Sequence, residues 1–286
     1  MNVNELTHRP KNFTPLFSGI NGPEGPALGP DGIIYLVSTK DSELLKITPD
    51  GEISTVLKID GIPNGLAFGL EGELFIADAG KKSILLYSGK GEPQTFCDNF
   101  DGTPFAGPND ICVLENGDIL FTDPLRLPDP DPSMSPVFRI RQNGKSEPFV
   151  SDLAYPNGIA ISFDRSDVIV SESKANRLIA IGLNNPNTQS INQKLIRRFL
   201  SPGRPDGIAI DIKGNILVCL PGINSIAKLD LNGNLLDLFH VPNWQPENLA
   251  FGGNDRQTVY VCSGLQSAIH TFRNDFPGLD LPNTKV

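Results

Sequence analysis

One signature recurs six times along the chain: a proline, then Asn, Asp or Glu, a short apolar run, a turn, and a second apolar run rich in β-branched residues. The copies are PEGPALGPDGIIYLVS from Pro23, PNGLAFGLEGELFIAD from Pro63, PNDICVLENGDILFTD from Pro108, PNGIAISFDRSDVIVSE from Pro156, PDGIAIDIKGNILVC from Pro205 and PENLAFGGNDRQTVYVC from Pro246. Their starts lie 40, 45, 48, 49 and 41 residues apart. A period of this length marks one supersecondary unit that buries its faces only against its neighbours. Each copy reads as an inner strand (158–162, for example), a tight turn such as Asp31-Gly32, Glu71-Gly72 or Asn116-Gly117, and a second strand. Segments 43–48, 84–88, 137–141 and 226–231 supply a third strand, and a fourth apolar run such as 53–59 leads to the next proline. Four strands per unit make a propeller blade. The predicted fold is therefore an all-β, six-bladed β-propeller with four antiparallel strands per blade, one domain over residues 1–286. A sandwich or barrel with coincidental turns does not account for six in-phase copies.

The ends of the repeat predict how the ring closes. The last copy has three strands followed by an irregular tail, 274–286, while 12–18 is a strand-like run ahead of the first copy. The N-terminal run is expected to supply the last blade's outer strand, pairing near 268–272 and removing an open edge. Composition agrees with a turn-rich β protein, since the 28 Gly and 25 Pro are about 19% of the chain and the apolar share is 39%.

Charge and leader signals narrow the partners. A net charge of −9 repels phosphate backbones and anionic lipid, so neither nucleic acid nor membrane is an expected partner. The start, MNVNELTHRPKNF, has no apolar leader core and no apolar run is long enough to span a bilayer, so a cytoplasmic location is expected. Cys97, Cys112, Cys219 and Cys262 form no CxxC pair and read as reduced core thiols.

The phase of the repeat also places a site. The residues after each proline (Glu24, Asn64, Asn109, Asn157, Asp206, Glu247) should converge at one mouth of the channel, with the second-strand ends (Thr39, Asp78, Asp123, Glu172, Cys219, Cys262) rising around them. Carboxylate and carboxamide oxygens from different blades suit a hard divalent cation. Asn and Asp before Gly are also good turn residues, which accounts for Asn64 without a ligand role. Glu24 is different, because Glu is a poor turn former.

The chain resembles the senescence-marker-protein, gluconolactonase and luciferin-regenerating-enzyme family of six-bladed propeller hydrolases. The likeness rests on PEGP with Glu24, GPND with Asn109 followed by FTDP, PNGIA with Asn157, PDGIAID with Asp206, and LAFGG in the sixth copy. The resemblance implies that Glu24, Asn157 and Asp206 hold one divalent cation, calcium first and Mg, Mn, Zn or Fe as alternatives. Asn109 is then a fourth ligand or a substrate contact, and Asp206 doubles as general base. The implied activity is a metal-dependent hydrolase of a small molecule, a gluconolactonase-like lactonase in the first instance. Alternatives are a phosphotriesterase of the diisopropyl fluorophosphatase type, a non-catalytic binding propeller, and a metal-free strictosidine-synthase-like condensing enzyme relying on a pocket Glu, Glu172 or Glu247. One departure stands out: many sugar lactonases of the family carry an Arg shortly before the third-copy Asn, where this chain has Phe105-Ala106-Gly107-Pro108.

The three histidines offer little. His8 lies in a terminal tail and His270 in a strand, whereas His240 or the sole tryptophan, Trp244, is expected near the pocket mouth. Between Pro124 and Pro136 a run with five prolines interrupts the third blade, readable as a semi-rigid lid or as a solvated loop.

Overall fold

The computed structural model describes residues 11–48, 50–126, 135–183, 193–241 and 243–282, and in them six four-stranded antiparallel sheets stand around one axis. Blade 1 comprises Pro23–Leu28, Ile34–Ser38, Glu43–Ile47 and Ile53–Lys58; blade 2 comprises Pro63–Phe68, Leu74–Asp78, Ser83–Tyr87 and Gln94–Cys97. Blade 3 is Ile111–Val113, Ile119–Thr122, Ser135–Ile140 and Ser146–Leu153, and blade 4 is Pro156–Ile161, Asp167–Glu172, Arg177–Gly182 and Gln193–Arg198. Blade 5 is Ile208–Ile210, Ile216–Leu220, Ser225–Leu229 and Leu235–His240; blade 6 is Asn248–Gly252, Thr258–Ser263 and Ala268–Arg273 with Thr14–Ser18 as its outer strand. The inner strands touch in sequence and the last returns to the first, closing the ring. Most of the Pro124–Pro136 loop lies outside the described residues.

Six apolar clusters hold the ring, one in each gap between neighbouring blades. Phe75, Phe105, Phe121 and Phe138 fill the gap between blades 2 and 3, for example, and Leu217, Phe239, Leu249 and Phe272 that between blades 5 and 6. Second strands are covered on both faces, and Leu74–Asp78 and Ile216–Leu220 are buried at every residue. Outer strands such as Gln193–Arg198 face solvent along much of their length. This gradient explains why the repeat is sharp in its first two strands and fades toward the rim.

Ring closure follows the sequence expectation. Thr14 pairs with Thr271, Pro15 with His270, Phe17 with Ile269 and Ser18 with Ala268. Phe13 adds edge-on contacts to Trp244 and Phe272, with ring centroids at 5.3 and 5.2 Å. Trp244 itself is buried and stacks on His270 at 4.1 Å, so it belongs to the core rather than the pocket mouth. His240 ends an outer strand, exposed and away from the channel. That corrects the expectation that either residue borders the pocket.

The C-terminal tail does more than the sequence indicates. It crosses the far end of the channel: Ile212 N–H donates to Pro277 O at 2.9 Å, Leu279 N–H to Ile210 O at 2.8 Å and Gly278 N–H to Arg256 O at 2.8 Å. Arg165 and Arg256, both at hairpin turns with positive φ, bind Asp280. Leu279, Leu281 and Pro282 then line the lower channel.

Deleting residues 1–18 would leave the edge of Ala268–Arg273 open and uncover Trp244 and Phe272. The truncated chain is expected to fail to accumulate as a folded soluble protein. Melting like the full-length chain would show that ring closure does not depend on this strand.

Candidate active site

The inner-strand ends meet more closely than ordinary side chains allow. A Cβ added at Gly25 would lie 2.1 Å from Asn64 O, at Gly65 2.7 Å from Asn109 O, and at Gly158 2.3 Å from Asp206 O. Gly65 N–H donates to Asn109 O at 2.8 Å and Gly207 N–H to Glu247 O at 2.9 Å, tying blade to blade at the channel mouth. Copies 3 and 6 have Asp110 and Asn248 where the others have this glycine. Their side chains carry the ring contacts instead: Asp110 accepts from Ile111 N–H at 2.9 Å and Ile159 N–H at 3.2 Å, and Asn248 hydrogen-bonds Glu24.

Above this ring opens a cavity of about 920 Å³, and all six residues after the prolines line it. Glu24, Asn109, Asn157 and Asp206, the four candidate ligands, are thus brought together. Asn157 donates its amide to Ser173 Oγ at 3.2 Å, and Ser173 in turn donates to Pro205 O at 2.7 Å. This chain fixes the carboxamide by its nitrogen, so its oxygen is the atom left for a ligand. Ser173, the residue directly after the fourth blade's second strand, carries no signal in the sequence because a lone Ser marks no motif.

The second-strand ends behave differently from expectation. Thr39 lines the cavity, but Asp78, Asp123, Glu172, Cys219 and Cys262 are buried beneath it. Asp78 accepts from Ile62 and Lys81 N–H, Asp123 from Ala106 and Gly107 N–H at 2.8 and 2.7 Å, and Glu172 from Ala154 N–H and the Arg177 guanidinium. These carboxylates satisfy the donors of the loop entering the same blade, which would otherwise be buried unpaired. Burial pushes the Cys219 and Cys262 thiols up, so both are inert.

Negative charge is concentrated at the floor. Burial, then Glu247 and Asp110, push Glu24 up to about 8. Burial, then Glu24 and Glu247, hold Asp206 well above the carboxylate range. Burial also raises Asp110 to about 7 and lifts Glu247. Carboxylates crowded out of water repel one another, and a cation among them would relieve the repulsion. Among the described residues no group of three or more His, Cys, Asp and Glu side chains could hold a metal ion, so any cation here draws on the carboxamides as well. Oxygen donors of mixed charge fit a hard divalent ion and not zinc's preferred nitrogen and sulfur set.

Several basic side chains face the same cavity: Lys40, Arg126, Lys174 and Arg204. Arg126 reaches Gly107 O at 3.3 Å from the loop after the third blade's second strand. A guanidinium therefore lies beside the Phe105–Pro108 segment after all, delivered from another part of the chain.

The description SMP-30/Gluconolactonase/LRE-like region matches residues 22–264. The gluconolactonase of Zymomonas mobilis is 30% identical over 280 residues, covering 86% of this chain and 77% of that protein. Strictosidine synthase-like protein 6 of Arabidopsis thaliana is 26% identical, covering 74% of this chain but only 60% of its own length. The solved structure of regucalcin from Agrobacterium tumefaciens, described as a calcium-binding protein, superposes with a TM-score of 0.80 at 19% identity over 96% of this chain and 99% of that one. That likeness speaks for the fold.

Because Glu24 and Asp110 keep protons in the fold that the unfolded chain loses near pH 4, unfolding without a bound cation releases protons. Stability in chelator is expected to fall as pH rises from 4 to 8, and Glu24→Gln to flatten part of that slope. A melting temperature constant across the range would contradict the charge crowding.

Proposed function

Because the chain belongs to the SMP-30/gluconolactonase/LRE-like family, we propose that it is a lactonase whose cavity holds one divalent cation, calcium in the first instance. The observation that supports this most is the floor itself: two crowded carboxyl groups and two carboxamides from four blades, all lining one cavity. In this reading Glu24, Asn157 and Asp206 hold the ion, and Asn109 binds substrate beside it. Held there, a divalent cation would supply Lewis acidity toward a substrate carbonyl.

The remaining chemistry belongs to the chain. Asp206 accepts a proton from water as the water oxygen bonds to the acyl carbon. The ring C–O bond then breaks, the departing oxygen takes up a proton, and an open hydroxy acid results. A carboxyl raised by burial is a stronger base than an exposed one, provided positive charge nearby keeps it ionised. Asn109 orients the ring, and Tyr155, Ile62 and Leu265 give the cavity apolar walls.

A second reading rests on one observation: Glu247 lines the cavity beside Glu24. Glu247 would be the acid of a metal-free condensing enzyme. Glu172 no longer competes for that role, being buried and paired with Arg177.

A panel of sugar, aliphatic and aromatic lactones, followed by proton release with and without chelator, tests the reading. Turnover is expected to vanish in chelator and return with calcium; full activity in chelator favours the second reading. Glu24→Gln should lower metal content and regain part of its rate in excess cation. Asp206→Asn should lose roughly 10²–10⁴-fold in kcat with no rescue, since it removes the proton acceptor too. Asn109→Ala should keep its metal and change KM or kcat. Wild-type metal content and rate in both carboxylate variants would reduce the ring to turn chemistry.

A further inference from the structure

The cavity's floor is acidic, yet one wall is not. On the side of blades 3 and 4, Arg126, Tyr155 and Lys174 form a continuous unit: Arg126 Nη1 donates to Tyr155 Oη at 3.0 Å, and Lys174 Nζ lies over the Tyr155 ring at 5.8 Å from its centroid. Tyr155 sits between two cations and presents each from a fixed position. It does so with φ of 58°, a left-handed conformation that a bulky residue adopts only when its surroundings hold it there. Its carbonyl accepts from Ser173 N–H at 3.1 Å, tying it to the strand end that also pins Asn157.

Arg126 is incompletely used by the protein. Its two terminal nitrogens donate to Tyr155 and to Gly107 O, while Nε is buried with no partner. Asp123, the carboxylate within its electrostatic reach, spends both oxygens on Ala106 and Gly107 N–H. Among the described residues Arg126 forms no ion pair, whereas Arg139, Arg141, Arg177, Arg256 and Arg273 each bind a carboxylate. Guanidinium forks favour planar or tetrahedral anions, and an ammonium alongside adds charge without geometric demand.

We infer that Arg126, Tyr155 and Lys174 form an anion subsite, and that the substrate carries an anionic substituent remote from its reacting carbonyl. The lactone part of this inference rests on the proposed function, whereas the subsite does not. A neutral sugar lactone offers the Arg126 guanidinium no counter-charge, so an anionic substituent is what the wall selects. Phosphate, sulfonate and carboxylate all satisfy that chemistry; a phosphate on the terminal carbon of a sugar lactone is the probe of choice.

Two measurements separate the subsite from the reaction. First, kcat/KM is compared for glucono-1,5-lactone and its 6-phosphate. The phosphorylated lactone is expected to be preferred by tenfold or more, and Arg126→Gln to shrink that ratio about tenfold. Lys174→Gln should shrink it less, and Arg126→Lys should restore part of it, a rescue that a merely structural role would not give. Second, calorimetry compares glucose 6-phosphate with glucose, neither of which is hydrolysed as a lactone. The phosphorylated ring should bind the wild type more tightly and lose that advantage in Arg126→Gln. If lactones are hydrolysed with no preference and glucose 6-phosphate binds no better than glucose, the subsite is overturned while the lactonase stands. If no lactone is hydrolysed but the phosphorylated ring binds through Arg126, the lactonase falls and the subsite stands.

Discussion

Six strand ends converging on one axis leave almost no room, and the whole molecule is arranged around that crowding. In four of the six copies a glycine follows the polar residue, and it is required because the neighbouring blade's backbone already occupies the place of its Cβ, 2.1 Å away at Gly25 and 2.3 Å at Gly158. No rotamer relieves a clash with backbone, so an alanine there must push two blades apart. The same crowding brings one polar residue from every blade to the channel mouth. Geometry that closes the ring thus also assembles the site, and neither could be altered alone.

Crowding also explains why two copies break the rule. With Asp110 and Asn248 in the glycine slot, side chains replace the backbone-to-backbone contact and satisfy Ile111, Ile159 and Glu24. Asp110 adds a fourth carboxyl group to a floor already holding Glu24, Asp206 and Glu247. Burying carboxyl groups together opposes folding at neutral pH, and local destabilisation of this kind is common where function demands it. The six inter-blade clusters supply the stability that the floor withholds.

The repeat made the fold legible, because turns and buried second strands impose the same pattern in each copy. Ring closure was legible for a related reason: an unpaired last blade and a leading apolar run have only one economical solution. Phase brought the six residues after the prolines to one mouth of the channel, and the family resemblance singled out Glu24, Asn109, Asn157 and Asp206 among them. What phase cannot give is the direction of a side chain once loops intervene. Asp78, Asp123 and Glu172 look like site carboxylates in sequence, yet each turns toward loop N–H groups that need an acceptor. Trp244 precedes the sixth copy and looked accessible, but Phe13 and His270 enclose it. The channel-crossing tail was invisible because its contacts are to irregular backbone, with no period to betray them.

Least legible was the cationic wall. Arg126 meets Gly107 across 19 residues of chain, and Lys174 meets Tyr155 across a whole hairpin. Neither pair shows a spacing motif, since the loops leaving second strands are the least repetitive part of each blade. The arrangement is nevertheless consistent with the electrostatics of the molecule as a whole. A chain with nine excess negative charges repels a small anion at long range, where the field follows net charge. Within a Debye length, about 8–10 Å at moderate salt, local charges decide. Placing Lys40, Arg126, Lys174 and Arg204 around one mouth therefore creates a positive patch without changing the net charge. An acidic floor for a cation and a basic wall for an anion can share one cavity because different structures build them: converging inner strands make the first, and diverging exit loops the second.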